Sequence, residues 1–128
     1  MIIPEDNPMT FEAVLLGEKL FNDPILSGDG TQSCASCHIK SSSFSDPNQF
    51  STGINNIQGN RQASTLINLG WTNSFFWVGR ASSLEQQAFE PIRNPIEMNN
   101  SWENVENTLN NSEEYTLLLI ITAAFETL

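Results

Sequence analysis

The stretch Cys34-Ala35-Ser36-Cys37-His38 governs how this chain is read. Two thiols three positions apart can reach the two vinyl groups of one porphyrin, while the next residue turns its imidazole beneath the iron. C-x-x-C-H is the attachment pattern of a c-type haem. The motif takes both cysteines and the only histidine of the 128 residues. The alternative is a two-cysteine redox or disulfide site followed by an unrelated histidine. A closed zinc site wants four ligands, and a second Cys/His pair is missing. The expectation is one covalently held haem c, with Cys34 and Cys37 as anchors and His38 as the metal ligand. A chain of this length builds one core of modest size, to which a haem adds apolar volume.

Five basic residues against fifteen acidic ones give a net charge of -10. That field disfavours nucleic acid and anionic membrane surfaces, and it can steer a basic redox partner. An acidic, solvated surface that keeps the chain soluble is the simpler account of the same charge. Residues 1–8 are acidic, with neither a basic segment nor a long apolar one, so they contain no signal peptide. Covalent haem attachment normally takes place outside the cytoplasmic membrane. A periplasmic or equivalent location, with a leader already removed, is therefore expected. The most apolar run, Leu117 to Ile121 continuing to Phe125, falls short of the about 20 residues of a membrane span and reads as a packed helix.

Thr10 to Phe21 carries apolar residues at Phe11, Val14, Leu15, Leu16, Leu20 and Phe21, which predicts a helix with one apolar face, stopped by Asn22-Asp23-Pro24. The loop Ile25 to Gln32 holds Ser27-Gly28-Asp29-Gly30, a turn rather than a calcium loop, because the spacing of an EF-hand is absent. Lys40 to Asn60 shows no period and reads as a long loop, and Ala63 to Leu69 as a short turn. Trp71 to Trp77 is crowded with aromatics. Ser83 caps a helix through Leu84, Gln87 and Ala88, with Gln86 placed for reciprocal capping, and Pro91 is expected to end it. Ser101 starts a helix through Val105 and Leu109, and Glu113 to Leu128 forms a last one. The fold class is all-α, four or five helices joined by long loops.

From about Leu16 onward the chain resembles the N-terminal, peroxidatic haem domain of the bacterial di-haem cytochrome c peroxidase and MauG family. The resemblance rests on six short elements in family order. They are Leu16-Gly17-Glu18-Lys19-Leu20-Phe21 with Asp23 and Leu26-Ser27; the haem motif; Gly59-Asn60-Arg61 with Thr65-Leu66; Phe76-Trp77-Val78-Gly79-Arg80; Ser83 to Ala88; and Asn94-Pro95-Ile96-Glu97-Met98. It implies a class I cytochrome c-like domain over residues 1–128 that reduces hydrogen peroxide to water. Electrons would come from a partner cytochrome, a cupredoxin or a second haem domain, and a homodimer is a further partner.

The resemblance implies His38 as proximal ligand, with Gln87 and Glu97 over the opposite face. There a carboxylate takes a proton from one peroxide oxygen and returns it to the other, while the amide orients the peroxide. Pro91 would line the same pocket, and a residue without an N–H can narrow access. Trp77 would relay electrons, with aromatic packing as its competing role. Arg61 and Arg80 suit haem propionates or a buried carboxylate. Met98 belongs to the core, because in the family the Met-ligated haem sits in the second domain. A single-haem electron carrier with Met98 or another sixth ligand, and a haem-based sensor or assembly subunit, are the rival functions.

Three positions depart from the family. Many relatives carry a histidine on the loop before the Arg61 element that ligates the resting iron; Phe50 to Asn60 has none, so an open or water-bound iron is expected. Gln62 replaces an asparagine tied to an inter-domain calcium, so calcium is not expected from this domain alone. Val78 replaces an aspartate. Only one C-x-x-C-H is present, which fits a fragment, a split subunit or a single-haem protein.

Overall fold

The computed structural model describes residues 3–5 and 7–126, without the side chains of 124–126. Five α-helices follow in order: α1 Phe11–Asn22, α2 Cys34–Cys37, α3 Leu84–Arg93, α4 Trp102–Asn110 and α5 Glu113–Glu126. Among the described residues there is no strand. The connection from α2 to α3 holds 3₁₀ turns and three small loops, each pinched by a single bridge: Ile39 with Ser45, Thr52 with Gln58, and Phe75 with Ala81. The short turn expected over Ala63 to Leu69 is found at its end, at Ile67-Asn68, and runs on into a 3₁₀ turn at Leu69–Trp71.

Each helix begins where a hydroxyl can satisfy orphan N–H groups. Thr10 Oγ1 accepts from Ala13 N–H at 3.1 Å, Ser83 Oγ from Gln86 N–H at 3.1 Å, and Ser101 Oγ from Asn104 N–H at 3.2 Å. The reciprocal cap of α3 differs by one residue from the expectation, since Gln86 Oε1 accepts from Ser82 N–H at 2.8 Å rather than from Ser83. Asp23 joins three elements at once. Its backbone N–H ends α1 on Lys19, its Oδ1 starts the Pro24–Leu26 turn through Ile25 N–H at 2.9 Å, and its Oδ2 receives the buried Tyr115 hydroxyl of α5 at 2.8 Å. Burial and the Asp23 carboxylate push the Tyr115 phenol well above its usual value, so it stays a donor.

The core cluster is Leu26, Ile92, Met98 and Val105, flanked by Leu20, Ile25, Trp102 and Leu109. It joins Leu26, from the turn after α1, to Ile92 of α3, Met98 of the segment that follows and Val105 of α4, so that the N-terminal part of the chain is packed against residues 92–105. The single apolar face expected of α1 is divided: Leu16 is buried, while Phe11, Val14 and Leu15 face solvent. The last helix is likewise only partly packed, with Leu117 and Ile120 exposed; Thr127 and Leu128, included in its expected span, lie outside the described residues. No helix among the described residues is long and apolar enough to cross a membrane.

Pro91 does not end α3. It forgoes the hydrogen bond its N–H would have made, but the helix continues because Ile92 enters the core and Asn94 N–H reaches the Glu90 carbonyl at 2.9 Å. The stop comes from Pro95, which biases Asn94 to its extended φ of -68° and ψ of 121°.

Ile92→Ala should lower stability by about 2–5 kcal/mol, whereas Phe11→Ala, at a 73% exposed site, should stay within about 0.5 kcal/mol of the parent. Urea unfolding of the two variants measures the contrast; equal losses would mean that the core is not centred on Ile92.

Candidate haem site

α2 is a single turn, held by Ser33 N–H on Ser36 Oγ at 3.0 Å and His38 N–H on the Cys34 carbonyl at 2.9 Å. It presents two unpaired, half-buried thiols. Burial raises the pKa of Cys34; burial, then the negative charges of Asp46 and Glu97, raises that of Cys37. His38 closes the turn. Its Nδ1 lies 3.0 Å from the Phe44 carbonyl oxygen. A carbonyl only accepts, so the Nδ1 carries the proton and the Nε2 lone pair is left for a metal. The carbonyl is delivered by a strained turn in which Ser43 and Phe44 both adopt positive φ, 58° and 53°. Phe21 of α1 meets Phe44 edge-on at 6.3 Å and braces that turn.

Glu97 sits on the segment after α3, clasped between two loops. Gly28 N–H donates to the Met98 carbonyl at 2.8 Å and Ile54 N–H to the Glu97 carbonyl at 2.8 Å. A Cβ on Gly28 would collide with the Asn99 carbonyl oxygen, and one on Gly53 would collide with that of Ile96 and lie 2.7 Å from Glu97 Cα. Neither loop could approach so closely with any other residue. Glu97 keeps solvent-accessible surface, yet crowding of its carboxyl raises its pKa. A hydrogen bond from Asn94 and then the positive field of Arg80 pull the value down, and Glu90 pushes it up.

Gln87 and Trp77 line one hollow of about 120 Å³ together with Ser64, Thr65, Leu69, Ser74, Phe75 and Phe76. A larger cleft of about 570 Å³, bordered by Leu15, Glu18, Lys19, Asn22, Asp23 and Pro24, contains none of the residues expected in the site. Trp77 is not packed within the aromatic cluster. It is exposed, and its Nε1–H donates to the Gln62 carbonyl at 3.2 Å. Arg80 stacks 3.5 Å from the Phe76 ring centroid. Arg61 is exposed, and among the described residues the only ion pair is Lys19 with Glu114, so both arginines are uncommitted to a protein carboxylate. Pro91 is half-buried and its carbonyl receives Met98 N–H at 3.2 Å. Met98 is 5% exposed in the core cluster, unavailable as an axial ligand in this packing. Asp29 forms a turn, its Oδ1 accepting from Ser27 Oγ and Thr31 N–H, both at 3.0 Å.

The chemistry of the donor set fits a c-type haem: two free thiols on one helical turn, an adjacent imidazole fixed in the ligating tautomer, and two guanidinium groups without carboxylate partners among the described residues. Phe44 and Asn94 escaped the sequence reading. The first depends on a left-handed turn that no residue type in Ser43-Phe44 announces. The second had a signal, since Asn before Pro favours a side chain turned back onto its own backbone.

Fold and site define a helical c-type haem domain. The sequence model of the family described as di-haem cytochrome c peroxidase matches residues 11–126, and the chain belongs to that family. It is 46% identical over 98 residues to the methylamine utilization protein MauG of Methylorubrum extorquens, covering 77% of this chain and 28% of that protein. It is 39% identical over 104 residues to the cytochrome c peroxidase Ccp of Escherichia coli, covering 80% and 22%. Among solved structures, a MauG-like protein associated with microbial copper homeostasis superposes with a TM-score of 0.84 at 33% identity, over 98% of this chain and 37% of that one. The chain thus spans less than a third of the length of these curated relatives.

A carboxyl whose pKa is raised on folding contributes stability that is complete below its unfolded value, about 4.3 for Glu, and lost as pH rises through the folded one. Glu97→Gln cannot ionise and keeps an acceptor for Asn94. Its melting temperature should therefore exceed the parent's by more at pH 7 than at pH 4; the same difference at both values would show that burial does not penalise the Glu97 charge.

Proposed function

We propose that this domain is the peroxidatic haem unit of a cytochrome c peroxidase, reducing hydrogen peroxide to two waters with two electrons and two protons. The observation that carries the reading is the His38 imidazole, pinned through Nδ1 beside two unpaired thiols. One haem would be held by thioether bonds to Cys34 and Cys37, with His38 Nε2 as proximal ligand and Arg61 and Arg80 on its propionates. Bound there, the haem supplies an iron on which peroxide exchanges and to which electrons are delivered.

Glu97 does the proton work. Crowding raises the pKa of its carboxyl above the ordinary glutamate value, which makes it a stronger base for the proton it must accept and return. It takes the proton of one peroxide oxygen and returns it to the other, so that the leaving group departs as water. Gln87, in a hollow bordered by Ser64, Thr65 and Ser74, orients peroxide by donating and accepting. Pro91 narrows the approach, and exposed Trp77 stands as the electron relay toward a donor cytochrome, a cupredoxin or a second haem domain. The loop Phe50 to Asn60 carries no imidazole, and its backbone at Ile54 is fastened to Glu97, so no ligand from this loop has to leave before peroxide enters. The periplasm, or an equivalent compartment, is where such a domain matures and works.

Glu97→Gln should slow peroxide cleavage by about 10²- to 10⁴-fold in single-turnover stopped flow, and unchanged kinetics would remove Glu97 from the role. Protein from a host competent in haem attachment should have the mass of the chain plus one haem, with the bare chain mass excluding covalent attachment. The oxidised protein should bind cyanide without prior reduction; a requirement for reduction would reveal a resident sixth ligand.

A further inference from the structure

Asn94 closes α3 three residues before Glu97, and both ends of its amide are engaged. Its Oδ1 accepts from Ile96 N–H at 3.2 Å, and its Nδ2 donates to Glu97 Oε1 at 2.6 Å. Its own carbonyl receives Glu97 N–H and Asn99 N–H, each at 3.0 Å. The amide is therefore bolted to the loop on one side and to the carboxylate on the other. A glutamate on a surface-accessible loop would otherwise sample several rotamers, and misplacement by about 1 Å can cost about 10²-fold in rate.

We infer that Asn94 is the positioning residue for Glu97, its Nδ2–H holding Oε1 so that Oε2 is the atom that accepts and returns the peroxide proton. The inference rests on the reading of Glu97 as the proton carrier. Two features on the page give it a frame rather than a single contact. Pro95 fixes the extended backbone of Asn94, and the glycine-lined loops at Gly28 and Gly53 hold the main chain around Glu97 from both sides. With the main chain held by these hydrogen bonds and close contacts, the remaining freedom lies in the Glu97 side chain, and the Asn94 amide restricts it.

Asn94→Asp separates positioning from a turn-forming role. Aspartate has the same size and keeps an oxygen for Ile96 N–H, but it presents an acceptor and a like charge to Glu97. If Asn94 served only the turn, Asn94→Asp would be silent. As the positioning residue, it should slow peroxide cleavage by about 10- to 100-fold and move the acid limb of the rate to higher pH. In the carbon monoxide complex of the reduced holoprotein, difference infrared spectroscopy should show the Glu97 carboxyl retaining its proton to higher pH. Asn94→Ser, whose hydroxyl caps the same turn without reaching Glu97, should slow cleavage similarly, so the test survives poor folding of the first variant. In a Glu97→Gln background neither substitution should cost further rate. Parental rates and an unmoved carboxyl titration in both Asn94 variants, beside a slow Glu97→Gln, would overturn the role of Asn94 and leave Glu97 in place. A parental rate for Glu97→Gln itself would overturn both.

Discussion

The segment Ile96 to Asn99 runs between Gly28 and Gly53 at distances that exclude any side chain at either glycine. This close passage serves two tasks through neighbouring residues. Met98 points into the core with Leu26, Ile92 and Val105, while Glu97, one residue earlier and proposed as the proton carrier, turns outward to the Asn94 amide. The loop before the haem motif and the long loop after it are tied to the same few peptide groups. A shift of this segment would loosen core and site together, so packing and catalytic geometry are one constraint.

Four of the five helices were legible, because α1, α3 and α4 start on hydroxyl caps and the apolar period is plain around Leu16 and Val105; the single turn Cys34–Cys37 was read as a motif and not as a helix. Less legible were features decided by tertiary contacts. Pro91 reads as a helix stop, yet burial of Ile92 carried the helix two residues further, and Pro95 set the boundary. The apolar stripe of α1 reads as one buried face, yet only Leu16 of it is buried, and Phe11, Val14 and Leu15 face solvent. Likewise the haem motif named Cys34, Cys37 and His38 directly, and family order pointed to Gln87 and Glu97. Neither could name Phe44, whose contribution is a backbone carbonyl placed by a left-handed turn.

The proposed site draws on three places in the fold. The proximal side proposed for the haem comes from α2 and the strained turn at Ser43-Phe44, and the proposed acid-base side from the segment after α3 and its two flanking loops. Gln87 and Trp77 share a third place, a hollow bordered by the Phe75–Ala81 loop. Arg80 lies on the Phe76 ring beside that hollow and still lowers the pKa of Glu97 through its charge. An arginine held flat on an aromatic face is pre-oriented without being neutralised, which leaves its donors free for another anion.

Burial of the two thiols bears on how the domain is made as well as on what it holds. A thiol with a raised pKa is mostly protonated at neutral pH, and the thiolate is the species that attacks disulfides. Before any cofactor arrives, a chain folded around this turn would therefore exchange slowly with oxidants in its surroundings. The folded turn thus trades reactivity for protection: the pair is shielded from oxidation, and its nucleophilicity is blunted by the same burial.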